Sequence, residues 1–145
     1  MSIALKRINK ELDNIKKEPI EGFILTDTES LWIWKGILYG PSDSPYEKGE
    51  FPIQITFEED YPIKAPSVKF LKPIFHPNIY RDGKICIDIL QPHEWSPSQT
   101  IRTIMLSLRS LFMDPNPASP ANADAAKIYL SDRKLFDTTV RNSIK

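Results

Sequence analysis

Cysteine is almost missing from this sequence, with Cys86 the only one, and histidine is limited to His76 and His93. A lone thiol closes no internal disulfide and supplies no cysteine-rich cage, so neither a disulfide scaffold nor a metal site is expected. Small secreted domains are usually stapled by several disulfides, so one cysteine points to a reducing compartment, cytosol or nucleus. Excess charge of either sign is missing too, since 19 Lys and Arg balance 19 Asp and Glu. No global field then draws the chain to nucleic acid or to an anionic membrane, and partners must be recognised through local patches. No apolar run approaches the ~20 residues of a membrane span, and charges interrupt the apolar residues of the N-terminal segment, so neither anchoring nor export is expected. Repeats and linkers are absent as well, and 145 residues suit one hydrophobic core, so residues 1–145 are expected to form a single domain.

What is present divides into two kinds of periodicity. Leu5, Ile8, Leu12 and Ile15 recur at steps of three and four with charged residues between them, which predicts an amphipathic helix over 5–15, capped by Ser2 and ended by Pro19. From Gly22 to Phe70, β-branched and aromatic stretches at 23–26, 31–39, 50–57 and 67–70 alternate with turn signals, which predicts an antiparallel meander of four strands. Residues 72–98 are rich in proline and lack periodicity, and irregular segments of that length are commonly functional. Ile101, Ile104, Met105, Leu108, Leu111 and Phe112 then mark a central helix, with Ser98 as candidate cap and Asp114-Pro115 as its stop. Two shorter helices, over about 121–130 and 132–142, complete an α+β domain: a four-stranded antiparallel meander flanked by an N-terminal helix, a central helix and two C-terminal helices.

Cys86 is either a small buried apolar residue or a nucleophile, and its place in the irregular segment favours the nucleophile. Five motifs occur in order: Gly40-Pro41-Ser42-Asp43-Ser44-Pro45-Tyr46, Tyr61-Pro62-Ile63-Lys64-Ala65-Pro66, His76-Pro77-Asn78, Cys86-Ile87-Asp88-Ile89-Leu90 and Trp95-Ser96-Pro97. Asp114-Pro115-Asn116-Pro117-Ala118-Ser119-Pro120-Ala121-Asn122 extends the series. Any one tripeptide is weak, but the ordered set resembles the catalytic domain of ubiquitin-conjugating enzymes from end to end. The resemblance implies that family's meander-and-helix fold and its reaction. An activating enzyme, which consumes the ATP, hands ubiquitin to Cys86 as a thioester, and the chain delivers it to a substrate lysine or a ligase cysteine without a cofactor of its own.

The chemistry then assigns parts to the neighbours. A thiol of ordinary pKa ~8.5 is a few per cent thiolate at neutral pH, enough for exchange between thioesters without an adjacent base. When an amine attacks, the carbonyl oxygen becomes an oxyanion, and the Asn78 amide is expected to stabilise it; the alternative is that this amide holds the loop by bonding to backbone. His76, next to Pro77, is expected to pin the loop rather than transfer protons. Asp88 matches a position that in the family helps place thioester and acceptor. Ser119 stands where relatives often carry Asp, so acceptor activation there falls to substrate, ligase or phosphorylation of Ser119. The segment Gln91-Pro92-His93-Glu94 is one residue longer than in the shortest relatives and alters the rim of the site.

The resemblance also marks partner surfaces. Lys6, Arg7, Ile63, Pro97 and Ser98 match positions gripped by RING- and HECT-type ligases, and Lys6 and Arg7 match a surface used by the activating enzyme. From composition alone the two cations would serve only solubility. Ile63 offers less apolar area than the aromatic often found there. Leu106, off the apolar face of the central helix and in line with Thr103 and Ser110, is expected to hold the donor ubiquitin folded back. Three other readings stay open: a conjugating enzyme for another ubiquitin-like modifier, a non-catalytic binding relative, and a Cys/His/Asn hydrolase built from Cys86, a histidine and Asn78.

Overall fold

A computed structural model describes residues 2–144. The elements run α1 (Ile3–Lys17), β1 (Phe23–Asp27), β2 (Ile33–Tyr39), β3 (Glu50–Thr56), β4 (Ser67–Phe70), α2 (Ile101–Met113), α3 (Ala123–Ser131) and α4 (Arg133–Ile144), with one 3-10 turn at Asp88–Leu90. The four strands form an antiparallel sheet in the order β1-β2-β3-β4, the meander expected from the sequence. Register follows the alternation of side chains: Trp34 faces Ile55, Leu38 faces Phe51, and Ile53 faces Phe70, so one set of residues points to the core and the other to solvent. Strand β2 starts at Ile33, two residues later than expected, because Ser30 Oγ accepts the Trp32 N–H in a turn.

Each helix begins where a side chain satisfies its free N–H groups. Ser2 Oγ accepts from Leu5 N–H at 3.1 Å and caps α1 as expected. Helix α2 is capped by Thr100 rather than Ser98: Thr100 Oγ1 accepts from Thr103 N–H at 3.2 Å, while the Ser98 hydroxyl pairs with Ser96 in the preceding bend. The hydroxyl next to the first buried residue, Ile101, is the one in reach. The same rule moves α3 and α4 later than expected, since Asn122 and Asp132 lie outside the helices and accept from Ala125 and Leu135.

The core lies between the inner sheet face and α2, whose Ile101, Ile104, Met105, Leu108 and Phe112 are buried, and Ile8 and Leu12 of α1 and Phe136 and Val140 of α4 belong to the same cluster. One charged residue enters this core. Glu11, placed by the sequence among the polar residues of α1, is 6% exposed and stands in the stripe with Ile8, Leu12 and Ile15. Its Oε1 accepts the Ile101 N–H at 2.7 Å, its Oε2 accepts from Arg7 Nε at 3.0 Å, and the Tyr61 hydroxyl donates to the same Oε2. One carboxylate thus ties α1 to the start of α2 and to the turn at 61–64.

Candidate active site

Three irregular segments meet beyond the end of α2, and side chains from the quoted motifs hold them together. Tyr46 is buried under the first, and its hydroxyl donates to the Phe75 carbonyl at 2.6 Å while its ring lies against Phe112 and His76. Burial, reinforced by Asp137 and Tyr129, pushes its pKa far up, so it remains a donor. His76 is fully buried. Its Nδ1 accepts the Asn78 N–H at 2.9 Å, which leaves the proton on Nε2, and that N–H donates to the Leu111 carbonyl at 2.7 Å. Burial lowers its pKa to about 4, against the raising effect of the Leu111 bond, so the ring is neutral at physiological pH. His76 therefore pins the loop, as expected, and both ring nitrogens are committed.

Asn78 joins the segments. Its Nδ2 donates to the Asn116 carbonyl at 2.7 Å and to the Ser119 carbonyl at 3.3 Å, and its Oδ1 accepts the Asn116 N–H at 2.8 Å. The amide is 1% exposed and bonded to backbone, so here it fastens the loop, the alternative to the expected oxyanion role. The Pro77 carbonyl adds bonds from the Ala121 and Asn122 N–H groups, which fastens the 114–122 segment across the loop.

Cys86 hangs from the same residue, since its N–H donates to the Asn78 carbonyl at 2.8 Å. Bridges Ile79↔Ile85 and Lys69↔Lys84 bind this stretch to the loop and to β4. Gly83 makes the approach possible: its φ of +91° belongs to the left-handed region, and a Cβ there would lie 1.9 Å from the Phe70 carbonyl oxygen. Cys86 is a free, half-buried thiol, and Asp88, at the start of the 3-10 turn, and Ser119 are both exposed. The structure thus brings Cys86, Asn78, His76 and the Ser119 backbone together by direct or shared hydrogen bonds. His93 is exposed, with its ring 3.9 Å from Glu94. His76 offers no general base to a Cys/His/Asn hydrolase, because both of its ring nitrogens are bonded to backbone. Among the described residues no three His, Cys, Asp or Glu side chains converge, and no helix is long and apolar enough to cross a membrane.

The expected ligase positions also come together. Ile63 is 73% exposed, and Lys6, Pro97 and Ser98 are exposed. Arg7 departs from the expected free cation: its guanidinium donates to the Pro97 and Gln99 carbonyls at 2.8 and 2.6 Å as well as to Glu11, so it builds the surface from beneath. Trp95 Nε1 donates to the Pro62 carbonyl at 2.8 Å and links the two loops. Glu11 is a structural residue that the sequence does not single out; its spacing from Ala4, Ile8 and Ile15 is the available signal. On α2, Leu106 and Ser110 face outward, with Met113 continuing the strip.

The α+β domain presents one partly exposed thiol on a rim fastened by His76 and Asn78, an arrangement suited to a nucleophile. The ubiquitin-conjugating enzyme family profile matches residues 7–144, and the chain belongs to that family of enzymes. It is 40% identical over 141 residues to ubiquitin-conjugating enzyme E2 2 of Mycosarcoma maydis, covering 97% of this chain and 76% of the relative. It is 38% identical to ubiquitin-conjugating enzyme E2 2 of Saccharomyces cerevisiae (98% and 83% covered). Identity to ubiquitin-conjugating enzyme E2 1 of Caenorhabditis elegans is also 38% (97% and 73% covered).

Proposed function

We propose that Cys86 receives ubiquitin from an activating enzyme as a thioester and passes it to a substrate lysine or to a ligase cysteine. The observation that carries this reading is the half-exposed thiol whose backbone is hydrogen-bonded to Asn78. In loading, the Cys86 thiolate attacks the carbonyl of the activating enzyme's thioester and that enzyme's thiolate leaves, so one thioester replaces another near balance. ATP is consumed upstream, and this chain needs no cofactor. In discharge, the lysine amine attacks, the Cys86 thiolate departs and the surplus amine proton is released. Asn78 keeps the loop in place throughout. Its second Nδ2–H, held only by the 3.3 Å contact to Ser119, is the donor that turns to the oxyanion when the thioester is attacked.

Asp88 orients the amine at the mouth of the site. Ser119 supplies no charge there, so amine activation depends on Asp88 and on the ligase, or on phosphorylation of Ser119. RING- and HECT-type ligases engage Lys6, Ile63, Pro97 and Ser98 on the platform that Arg7 braces, and Leu106 and Ser110 hold the donor ubiquitin. The compartment is cytosol, nucleus or both, with protein partners rather than nucleic acid or membrane.

The test combines the chain with activating enzyme, ATP and a panel of ubiquitin-like modifiers. A reductant-sensitive adduct is expected with ubiquitin, and a reductant-resistant one with Cys86→Ser. Loading by a different modifier overturns the cargo, and a reductant-sensitive adduct in Cys86→Ser overturns the mechanism.

A further inference from the structure

On the outward face of the sheet, beside the thiol segment, lies a groove of about 440 Å³ between β3, β4 and residues 84–91. Ile85 and Leu90 line it, so it flanks the Cys86–Ile89 stretch. Lys69 and Lys84 line it as well, and they are direct partners in the antiparallel bridge that ties the thiol segment to β4. Direct partners share one face with their Cβ atoms about 5 Å apart, and like charges so placed repel. Gln54, the partner of Lys69 on β3, continues the row. No carboxylate lines the groove. Asp82 meets Lys84 only at 3.8 Å with both side chains largely in water, and among the described residues Lys69 has no carboxylate within 4 Å. The remaining polar lining, Thr56, Ser67 and Gln91, offers hydrogen bonds without charge. Two adjacent cations, Lys69 unpaired among the described residues and Lys84 held only by its exposed 3.8 Å contact with Asp82, in a concave surface beside the thiol segment, complement an anionic chain.

We propose that this groove docks an acidic stretch of the acceptor protein beside its target lysine, with peptide carboxylates on Lys69 and Lys84. This rests on the proposed transfer from Cys86, and it makes the two lysines determinants of which substrate lysines are chosen. The test has two arms. In the first, uncharged 15N-labelled protein is titrated with a lysine peptide carrying a run of Asp and Glu and with a neutral peptide of the same length. The acidic peptide is expected to shift amide resonances of Gln54, Lys69, Lys84 and Gln91 at low salt, and the shifts to fade as salt rises past the ~0.1 M at which screening reaches ~10 Å. In the second, ubiquitin-charged protein discharges to each peptide. The acidic peptide is expected to react about fivefold faster, a ratio that falls to one or below in Lys69→Glu/Lys84→Glu. Shifts elsewhere, equal rates for both peptides, or a preference that survives charge reversal overturns the inference. A single-stranded oligonucleotide of equal charge that displaces the peptide also overturns it, by assigning the groove to anions in general. Failure of the wild-type chain to load at all would strike the transfer reading instead, because the first arm needs no thioester.

Discussion

Lowering the pH from 7.5 to 5 is expected to remove about 2 kcal/mol of folding stability through His76 alone. Above pH 6.5 the imidazole is neutral in both folded and unfolded chains and contributes no pH dependence. As pH falls through 6.5 the unfolded chain takes up a proton there, while the folded chain, with its value lowered to about 4, does not, so stability declines. The decline ends near pH 4, where the folded ring is protonated as well. The full gap, at 1.36 kcal/mol per pH unit, is about 3 kcal/mol, of which about 2 falls above pH 5, before most carboxylates titrate. Geometry supplies the reason: a proton on Nδ1 would point at the Asn78 N–H, with no solvent to accept it. The assay is urea denaturation at a series of pH values, paired with an NMR titration of the His76 ring. A ring that titrates near 6.5, or a folding free energy flat from pH 7.5 to 5, would refute the reasoning.

Removing the buried carboxylate in Glu11→Ala leaves the Tyr61 hydroxyl, the Arg7 guanidinium and the Ile101 N–H short of a partner, and is expected to cost about 3 kcal/mol in the same denaturation assay. Gly83→Ala forces a Cβ onto the Phe70 carbonyl at a left-handed φ; a loss of at least about 2 kcal/mol and slower loading of Cys86 are expected by denaturation and single-turnover loading. Leu106→Asp is expected to lower the ratio of ligase-stimulated discharge to loading about tenfold, in gel-based single-turnover assays; equal loss of both steps would signal misfolding instead. Ser119→Asp adds a carboxylate where the 114–122 segment crosses Asn78, and is expected to speed discharge to free lysine; an unchanged rate would remove the charge argument.

The legible part of the fold was what periodicity writes directly. Alternation over 50–57 and 67–70 and helical spacing over 5–15 and 101–112 correspond to β3, β4, α1 and α2 in the structure, and the thiol lies in the irregular segment that proline and missing periodicity mark. Boundaries drifted where several capping residues compete. Ser98, Gln99 and Thr100 all precede the apolar run, and only the burial of Ile101 decides between the two hydroxyls. Asn78 illustrates a different limit. Its amide could serve a loop or an oxyanion equally well by type, and the choice depends on Asn116 and Ser119, whose carbonyls reach it only through the fold. Glu11 was hidden because a charge on an apolar stripe looks like a break in the pattern until the partners from distant segments are seen.

The bonds that clasp residues 76–78 come from the last turn of α2 and from the segment leading into α3, so the Cys86 segment inherits its position from chain that is synthesised after it. A fragment ending at Asp114 would contain Cys86, Asp88 and the Leu111 carbonyl yet lack the backbone groups of Asn116, Ser119, Ala121 and Asn122 that fasten Asn78 and Pro77. The frame around the thiol is therefore complete only once residues 116–122 have folded across the loop.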